Sequence, residues 1–336
     1  MMHELKKIVS AYESAKSKGI NCVLATVVAL EGSSYRRPGV RMLLQEDGKM
    51  IGAVSGGCVE KEILLQAVSV FKNMVPKVMT YDGRYRLGCE GLLYILLESF
   101  EPSQEYLNSF WTAIKNRKQF LIESHFQKEF SEHNSYGSIF KFEDLTKSLQ
   151  KSFEHKVDNL IFSQTLSPCF KLIIIGAEHD AVQLCGYAAM TGWEVTIVAN
   201  PSEGKSLSDF PGATDFVNAE PETLDLKIDK QTALVLMTHS YSKDLQFLIS
   251  LKNQNPAYFG LLGPAKRREK LFNELMERVP DIKEEFITQI HGPAGLALGA
   301  VTPQEIAISV VAEILSVTNK VRPILLKEKV GRIHNE

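Results

Sequence analysis

The sequence predicts an α/β protein: an N-terminal mixed α/β domain over residues 1–167, then a C-terminal Rossmann-like doubly wound parallel sheet over 168–320, with a tail at 321–336. Three observations predict it. From Phe170 onward, short apolar runs alternate with segments of helical spacing, the pattern of βαβ units. Ser167-Pro168 breaks the chain just before that change of texture. A chain of 336 residues suits about two domains at roughly 150 residues each.

In the first half, residues 1–18 read as an amphipathic helix, with Leu5, Ile8, Val9, Tyr12 and Ala15 on one face between charges; this is not a signal peptide. Residues 22–30 read as a buried strand, and 31–39 as a loop carrying Arg36 and Arg37, with Arg41 just beyond. Residues 40–45 and 50–54 read as a hairpin about the Asp47-Gly48 turn. The stretch 50–63 is the centre of the domain. A strand at 51–54 meets the breaker Ser55-Gly56-Gly57, and Val59, Ile63, Ala67 and Phe71 then recur at helical spacing to about residue 73. Cys58 stands at the start of that helix, where free N–H groups favour an anion and lower a thiol pKa. The bare backbone of Gly56 and Gly57 admits a ligand closely. A plain glycine turn with Cys58 as a small buried hydrophobe is the competing reading. Strands are expected at 77–81 and 92–97, a helix at 104–116, and strands at 119–125, 138–142 and 160–166 that complete the domain.

In the second half, strands are expected at 171–175, 193–198, 233–238, 257–262 and 286–290. Helices are expected at 181–191, 243–253, 265–277 and 303–318, the last capped by Thr302 with Pro303 in its first turn. Gly176-Ala177-Glu178-His179-Asp180-Ala181 occupies the place of a dinucleotide turn, G-x-G-x-x-G, but keeps only its first glycine. A carboxylate at Glu178, ~5 Å from a phosphate, costs about 3 kcal/mol at an effective dielectric near 20. The acidic residue expected after the second strand is replaced by Val198-Ala199-Asn200-Pro201. Both departures argue against NAD(P). Three further loops fall on the carboxyl edge of the expected sheet: Thr238-His239, Gly263-Pro264 with Lys266, Arg267 and Arg268, and His291-Gly292-Pro293-Ala294-Gly295. The cations at a helix start oppose its dipole, which an anionic ligand or partner would explain; a solvated face is the alternative.

Composition excludes several classes. The net charge of -2 gives no pull toward nucleic acid, and no apolar run reaches the ~20 residues of a membrane span. The five cysteines, Cys22, Cys58, Cys89, Cys169 and Cys185, are dispersed without a CxxC, which points to a reducing cytoplasm rather than a disulfide framework or zinc cage.

The residues as a set resemble the XdhC/CoxI family, accessory proteins of molybdenum hydroxylases. In the first half the likeness rests on Glu31-Gly32-Ser33-Ser34, Pro38-Gly39, Arg41-Met42, Gly56-Gly57-Cys58-Val59-Glu60 and Gly88-Cys89 with Gly91. In the second it rests on Met237-Thr238-His239, Gly260 to Gly263 with Lys266-Arg267-Arg268, Ile290-His291-Gly292-Pro293, Thr302-Pro303 and Glu305-Ile306-Ala307. The resemblance implies a homodimeric chaperone rather than an enzyme. It would bind molybdenum cofactor (molybdopterin), support its sulfuration with a cysteine desulfurase, and deliver it to an apo xanthine-dehydrogenase-type enzyme. Cys58 would be metal ligand or sulfur acceptor and Cys89 a second candidate, while Arg36, Arg37 or Arg41 would hold the cofactor phosphate. His239, Lys266, Arg267 and His291 would complete the binding residues. The family commonly has Gly-Ala-Gly-His-Val-Gly where this chain has residues 176–181, which sets any nucleotide role apart. Two other readings stand beside this one. One is an NAD(P)-dependent oxidoreductase using His239 or His291 as acid/base, and the other is a scaffold docking a desulfurase to the apo-enzyme.

Overall fold

The computed structural model describes residues 1–32, 37–55, 57–83, 91–150, 153–154 and 156–330, without the Cys58 side chain. The chain forms two units, Met1–Pro168 and Cys169–Glu336.

The first unit opens with α1 (Met2–Lys16), whose buried face is the expected one, Leu5, Ile8, Val9, Tyr12 and Ala15 with Met2. There follow β1 (Cys22–Gly32), β2 (Arg41–Gln45), β3 (Met50–Gly52), α2 (Cys58–Asn73), β4 (Lys77–Asp82), β5 (Gly91–Ser99) and α3 (Gln104–Lys115). After α3 come β6 (Phe120–Phe126), β7 (Ser131–Glu132), β8 (Gly137–Lys141), β9 (Thr146–Ser148) and β10 (Leu160–Leu166). A six-stranded antiparallel sheet has the order β3-β2-β1-β5-β4-β7. α2 buries Val59, Ile63, Ala67 and Val70 against Val23, Ala25, Val27, Met42 and Leu97 of this sheet. That spacing is one stripe of a helix on one face of alternating strands.

The strands expected to complete the domain do so as a second antiparallel sheet, β10-β6-β8-β9, and not as an extension of the first. A strand pattern specifies an apolar face but not a hydrogen-bonding neighbour. Here the edge beyond β4 is taken by the two-residue β7, while α3 presents Tyr106 and Phe110 to an aromatic cluster with Phe120, Phe140 and Phe142.

The two sheets are tied by charges. Thr26 stands opposite both Arg41 and Leu96, so Arg41 and Glu98 share the sheet face away from α2. Glu98 accepts hydrogen bonds from the Ser138 amide (2.9 Å) and hydroxyl (2.6 Å) on β8, and Arg41 donates to Gln164 on β10 (2.6 Å). Burial pushes the Glu98 carboxyl up to about 7, against the downward pull of Ser138 and Arg41.

The second unit contains β11 (Lys171–Ile175), α4 (His179–Met190), β12 (Glu194–Ala199), β13 (Asp215–Asn218), β14 (Thr232–Leu236), α5 (Tyr241–Ser250) and β15 (Tyr258–Leu261). It ends with α6 (Ala265–Arg278), α7 (Glu284–Thr288), β16 (Ile290–His291) and α8 (Pro303–Thr318). The sheet is parallel throughout, in the order β13-β12-β11-β14-β15-β16. Counted from the unit's first strand this is 3-2-1-4-5-6, the dinucleotide-fold order with its switch point between β11 and β14. α4 and α8 cover one face, and α5 and α6 the other. The strands are buried on both sides, which is why they read as unbroken apolar runs.

Two details differ from the sequence reading. Residues 286–290 are mostly helix α7, and only Ile290–His291 is strand; Phe286 and Ile290, the buried pair, are spaced by four, a helical interval. β13 was not anticipated because it is a four-residue edge strand without a fully buried residue.

The raised Glu98 pKa has a consequence for stability. The folded chain binds this proton more tightly than the unfolded chain, whose value is near 4.5, so the contribution is full below 4.5 and is lost as pH rises through about 7. Glu98→Gln, which can still accept from Ser138, is expected to flatten this decline, read as urea midpoints at about pH 5 and about pH 8.

Candidate functional site

The turn into α2 is built by one side chain. The Glu60 carboxylate accepts from the amides of Val54 (3.1 Å), Ser55 (2.6 Å) and Gly57 (2.9 Å) and from the Ser55 hydroxyl (2.7 Å). Burial works to raise its pKa, but the hydrogen bonds from Ser55 and Gly57 outweigh it and hold the carboxyl below its usual range. The strand before the turn ends at Gly52, so 53–57 form a loop whose backbone donors converge on Glu60. Gly57 has φ +120°, and a side chain there would meet nothing within 4 Å among the described residues: glycine serves the conformation and leaves space among them beside the helix start. Cys58 is the first helical residue, as expected. Gly56, Arg36 and Cys89 lie outside the described residues.

Topology takes the chain off β1, β3 and β4, and into β2 and β5, at one end of the six-stranded sheet. Gly32 pairs with Gly91 and Asp82 with Leu92, while Gly52, before the Cys58 turn, pairs with Met42. Past Thr26, which faces the first residue of β2, β1 runs on to Gly32, β5 lies alongside to Gly91 and β4 to Asp82, an overhang of roughly 13–20 Å. Arg37 is exposed on the loop between β1 and β2.

Arg41 corrects the sequence reading. It was expected to face the cofactor phosphate, but its guanidinium is buried, donates to the Gly39 carbonyl and Gln164, and has its pKa lowered to about 10 by burial. On a strand, alternation decides which side a residue faces, and position 41 falls on the side packed against the second sheet. It is a link in the core and does not reach a surface ligand.

In the second unit the loops at the carboxyl edge are joined in series. Gly176 has φ +131°, and any Cβ there would strike the Met237 carbonyl at 2.4 Å. The one glycine retained from the dinucleotide pattern is thus required by the approach of β11 and β14. Ala181 is fully buried between α4 and the sheet, so alanine fits the third position. Glu178 is exposed at the N-cap of α4. Asp180 lies 3.2 Å from Nε2 of His239, which has φ +56°. In place of the ribose-binding acid, Asn200 accepts from the Ser202 amide and donates to Glu220.

The expected cationic patch is mostly engaged within the fold. Arg267 pairs at 2.5 Å with Asp244, which is buried and also accepts from the Thr238 amide and hydroxyl. Arg268 donates to the Gly292 carbonyl. Lys266 is exposed. These two arginines brace neighbouring loops, a role not visible in their spacing. His291 stacks on Tyr258 (4.7 Å) and pairs through Nδ1 with Glu313 at 3.1 Å. Sequence reasoning missed Asp244 and Glu313. Each was one acidic residue in a helix, and the only signal was a charge on a stripe otherwise facing the sheet.

Among the described residues no group of three metal-ligating side chains occurs. No helix there is long and apolar enough to cross a membrane. Cys22, Cys169 and Cys185 are buried thiols outside any disulfide, with Cys22 and Cys185 each raised to about 11 by burial.

Comparison with known proteins places these features. Residues 15–82 match the model of the XdhC and CoxI family, and 172–314 match that of the XdhC Rossmann domain. A Bacillus subtilis protein named as a probable subunit of xanthine dehydrogenase is 30% identical over 89% of this chain and 94% of its own length. The chain belongs to the XdhC and CoxI family. The molybdenum cofactor insertion chaperone PaoD of Escherichia coli is 25% identical to this XdhC/CoxI protein, over 90% of this chain and 85% of its own. A Bacillus halodurans crystal structure described as a xanthine dehydrogenase superposes with a TM-score of 0.77 at 25% identity, covering 94% of this chain and 97% of that one. The two matched regions include the Cys58 turn and the His291 loop.

Glu60→Ala is expected to destabilise the protein by about 1–2 kcal/mol, as for a lost cap, and to speed amide exchange at Val54, Ser55 and Gly57 selectively. Urea unfolding and hydrogen exchange read the two effects. Glu178→Gly is expected to tighten NADH binding by up to about two orders of magnitude, the reverse of the ~3 kcal/mol repulsion, measured by fluorescence titration.

Proposed function

We propose that this chain is a molybdenum cofactor insertion chaperone for a xanthine-dehydrogenase-type enzyme. The observation that carries the reading is the match, along about nine-tenths of the chain, to one relative named as such a chaperone and another named for xanthine dehydrogenase. The cofactor is cargo in this reading. Cys58, at a helix start beside the space left among the described residues over Gly57, is the residue we assign to the metal or to sulfur acceptance, because a thiolate is a soft ligand. Cys89 assists. The Glu60 charge at the helix start disfavours a phosphate there, so the phosphate is assigned to Arg36 and Arg37. Sulfuration by a cysteine desulfurase, a homodimeric state and a cytoplasmic location belong to the same proposal.

The strand order of the second unit is that of nucleotide-binding sheets, which keeps an NAD(P)-dependent activity as the second reading. Glu178 and Asn200 stand against it.

The test is molybdenum and pterin content after incubation with purified cofactor. Wild type is expected to retain cofactor and Cys58→Ala to lose it while remaining folded. Equal retention by both removes Cys58 from the mechanism. Absence of retention in both overturns the chaperone reading in favour of a docking scaffold.

A further inference from the structure

The carboxyl edge of the parallel sheet holds a histidine fixed more tightly than a surface side chain needs. Glu313 on α8 accepts at Oε2 from the Tyr258 hydroxyl (2.5 Å) and the Gly295 amide (2.7 Å), and its Oε1 faces His291 Nδ1 at 3.1 Å. With the Tyr258 hydroxyl and the Gly295 amide both donating to Oε2, the ionised carboxyl is the form that lets His291 donate to Oε1 as well. Burial works against that charge, and the bonds from His291, Tyr258 and Gly295 prevail. An ionised carboxylate is an acceptor only, so Nδ1 of His291 carries a proton, and in the neutral imidazole the lone pair is then on Nε2. The Tyr258 ring stacks under the imidazole, and His291 is about one-third exposed (33%). Arg268 holds the next residue by its carbonyl. Three elements, β15, α8 and the loop after β16, thus define both the ring plane and the tautomer.

We propose that His291 is a proton-transfer residue acting on a weakly acidic N–H or S–H group of the ligand, with Glu313 as its positioning residue. Nε2 takes the proton, the N–H or S–H bond breaks with its electron pair left on the ligand, and the imidazolium is stabilised by Glu313. The proton later passes to solvent, and no electron changes hands. A single imidazole does not make a resident metal site, and among the described residues no cluster of three ligating groups accompanies it. The inference rests on the chaperone reading only for the ligand's identity.

Glu313→Gln gives a specific test. Its amide oxygen can keep the two donors now at Oε2, so its NH2 would face Nδ1 and force the proton onto Nε2. Nitrogen-15 NMR of the full-length protein, without cofactor, is expected to show His291 as the Nδ1–H tautomer in wild type and as Nε2–H in Glu313→Gln. Diethyl pyrocarbonate, followed by peptide mass spectrometry, is expected to modify His291 about tenfold more slowly in the variant, since a misplaced proton removes the basic nitrogen. Tyr258→Phe leaves Glu313 ionised and is expected to keep the wild-type tautomer. An Nε2–H tautomer in wild type, or an unchanged tautomer in Glu313→Gln, overturns the proposal. The wild-type spectrum decides the matter even where the variant does not fold. Soluble pterin added to the full-length protein is expected to shift the Nε2 resonance. Absence of that shift sinks the inference and leaves the chaperone reading intact, whereas failure to retain cofactor at Cys58 sinks the reading and not the tautomer.

Discussion

A carboxylate withdrawn from water must be fully hydrogen-bonded, because an unpaired buried charge costs several kcal/mol. This chain meets that requirement with its own backbone. Glu60 gathers the amides of the loop before α2, Asp244 takes the Thr238 amide, and Glu313 takes that of Gly295. Glu98 does the same with Ser138 between the two sheets of the first unit. The first three each fix a loop, and Cys58, His239 and His291 stand on or beside those loops. The candidate residues are therefore held by charges they do not carry themselves.

The same constraint explains how a dinucleotide-type sheet can stand without the features that bind a dinucleotide. Phosphate affinity in that fold comes from bare backbone and an uncompensated helix start. Here Glu178 puts a carboxylate at the N-cap position of α4, Asp180 faces His239, and Arg267 is neutralised by Asp244. The strand order and the close β11–β14 approach at Gly176 remain because they belong to the packing of the sheet. What has changed is the polar chemistry of its edge, from one that draws phosphate to one in which acid and base are paired across adjacent loops.

Cys58 at the head of its helix, the two-part organisation and the parallel sheet were all legible in the sequence. Helical and strand periodicities are local, and Thr302 with Glu305 makes a capping box at the position read from the chain. The misreadings share a cause. Arg41, just beyond the loop that carries Arg36 and Arg37, was grouped with them as a phosphate ligand, but strand alternation turned it inward, toward Gln164, which is 123 residues away. Arg267 and Arg268 looked like an anion site because their partners, Asp244 in α5 and Gly292 after β16, come from other elements of the sheet edge. Residues 120–126 and 160–166 were legible as strands of the first domain but not as a separate sheet, because an apolar strand carries no label for its neighbour.

The sequence by itself determined what depends on neighbours a few residues apart: the helices and strands, the glycine turn before Cys58, the impaired dinucleotide motif and the family likeness. The tertiary structure alone decided which charges meet. Pairing of Glu313 with His291, Asp244 with Arg267 and Glu98 with Ser138 links residues 22 to 40 positions apart, and no periodicity records contacts that only packing brings together.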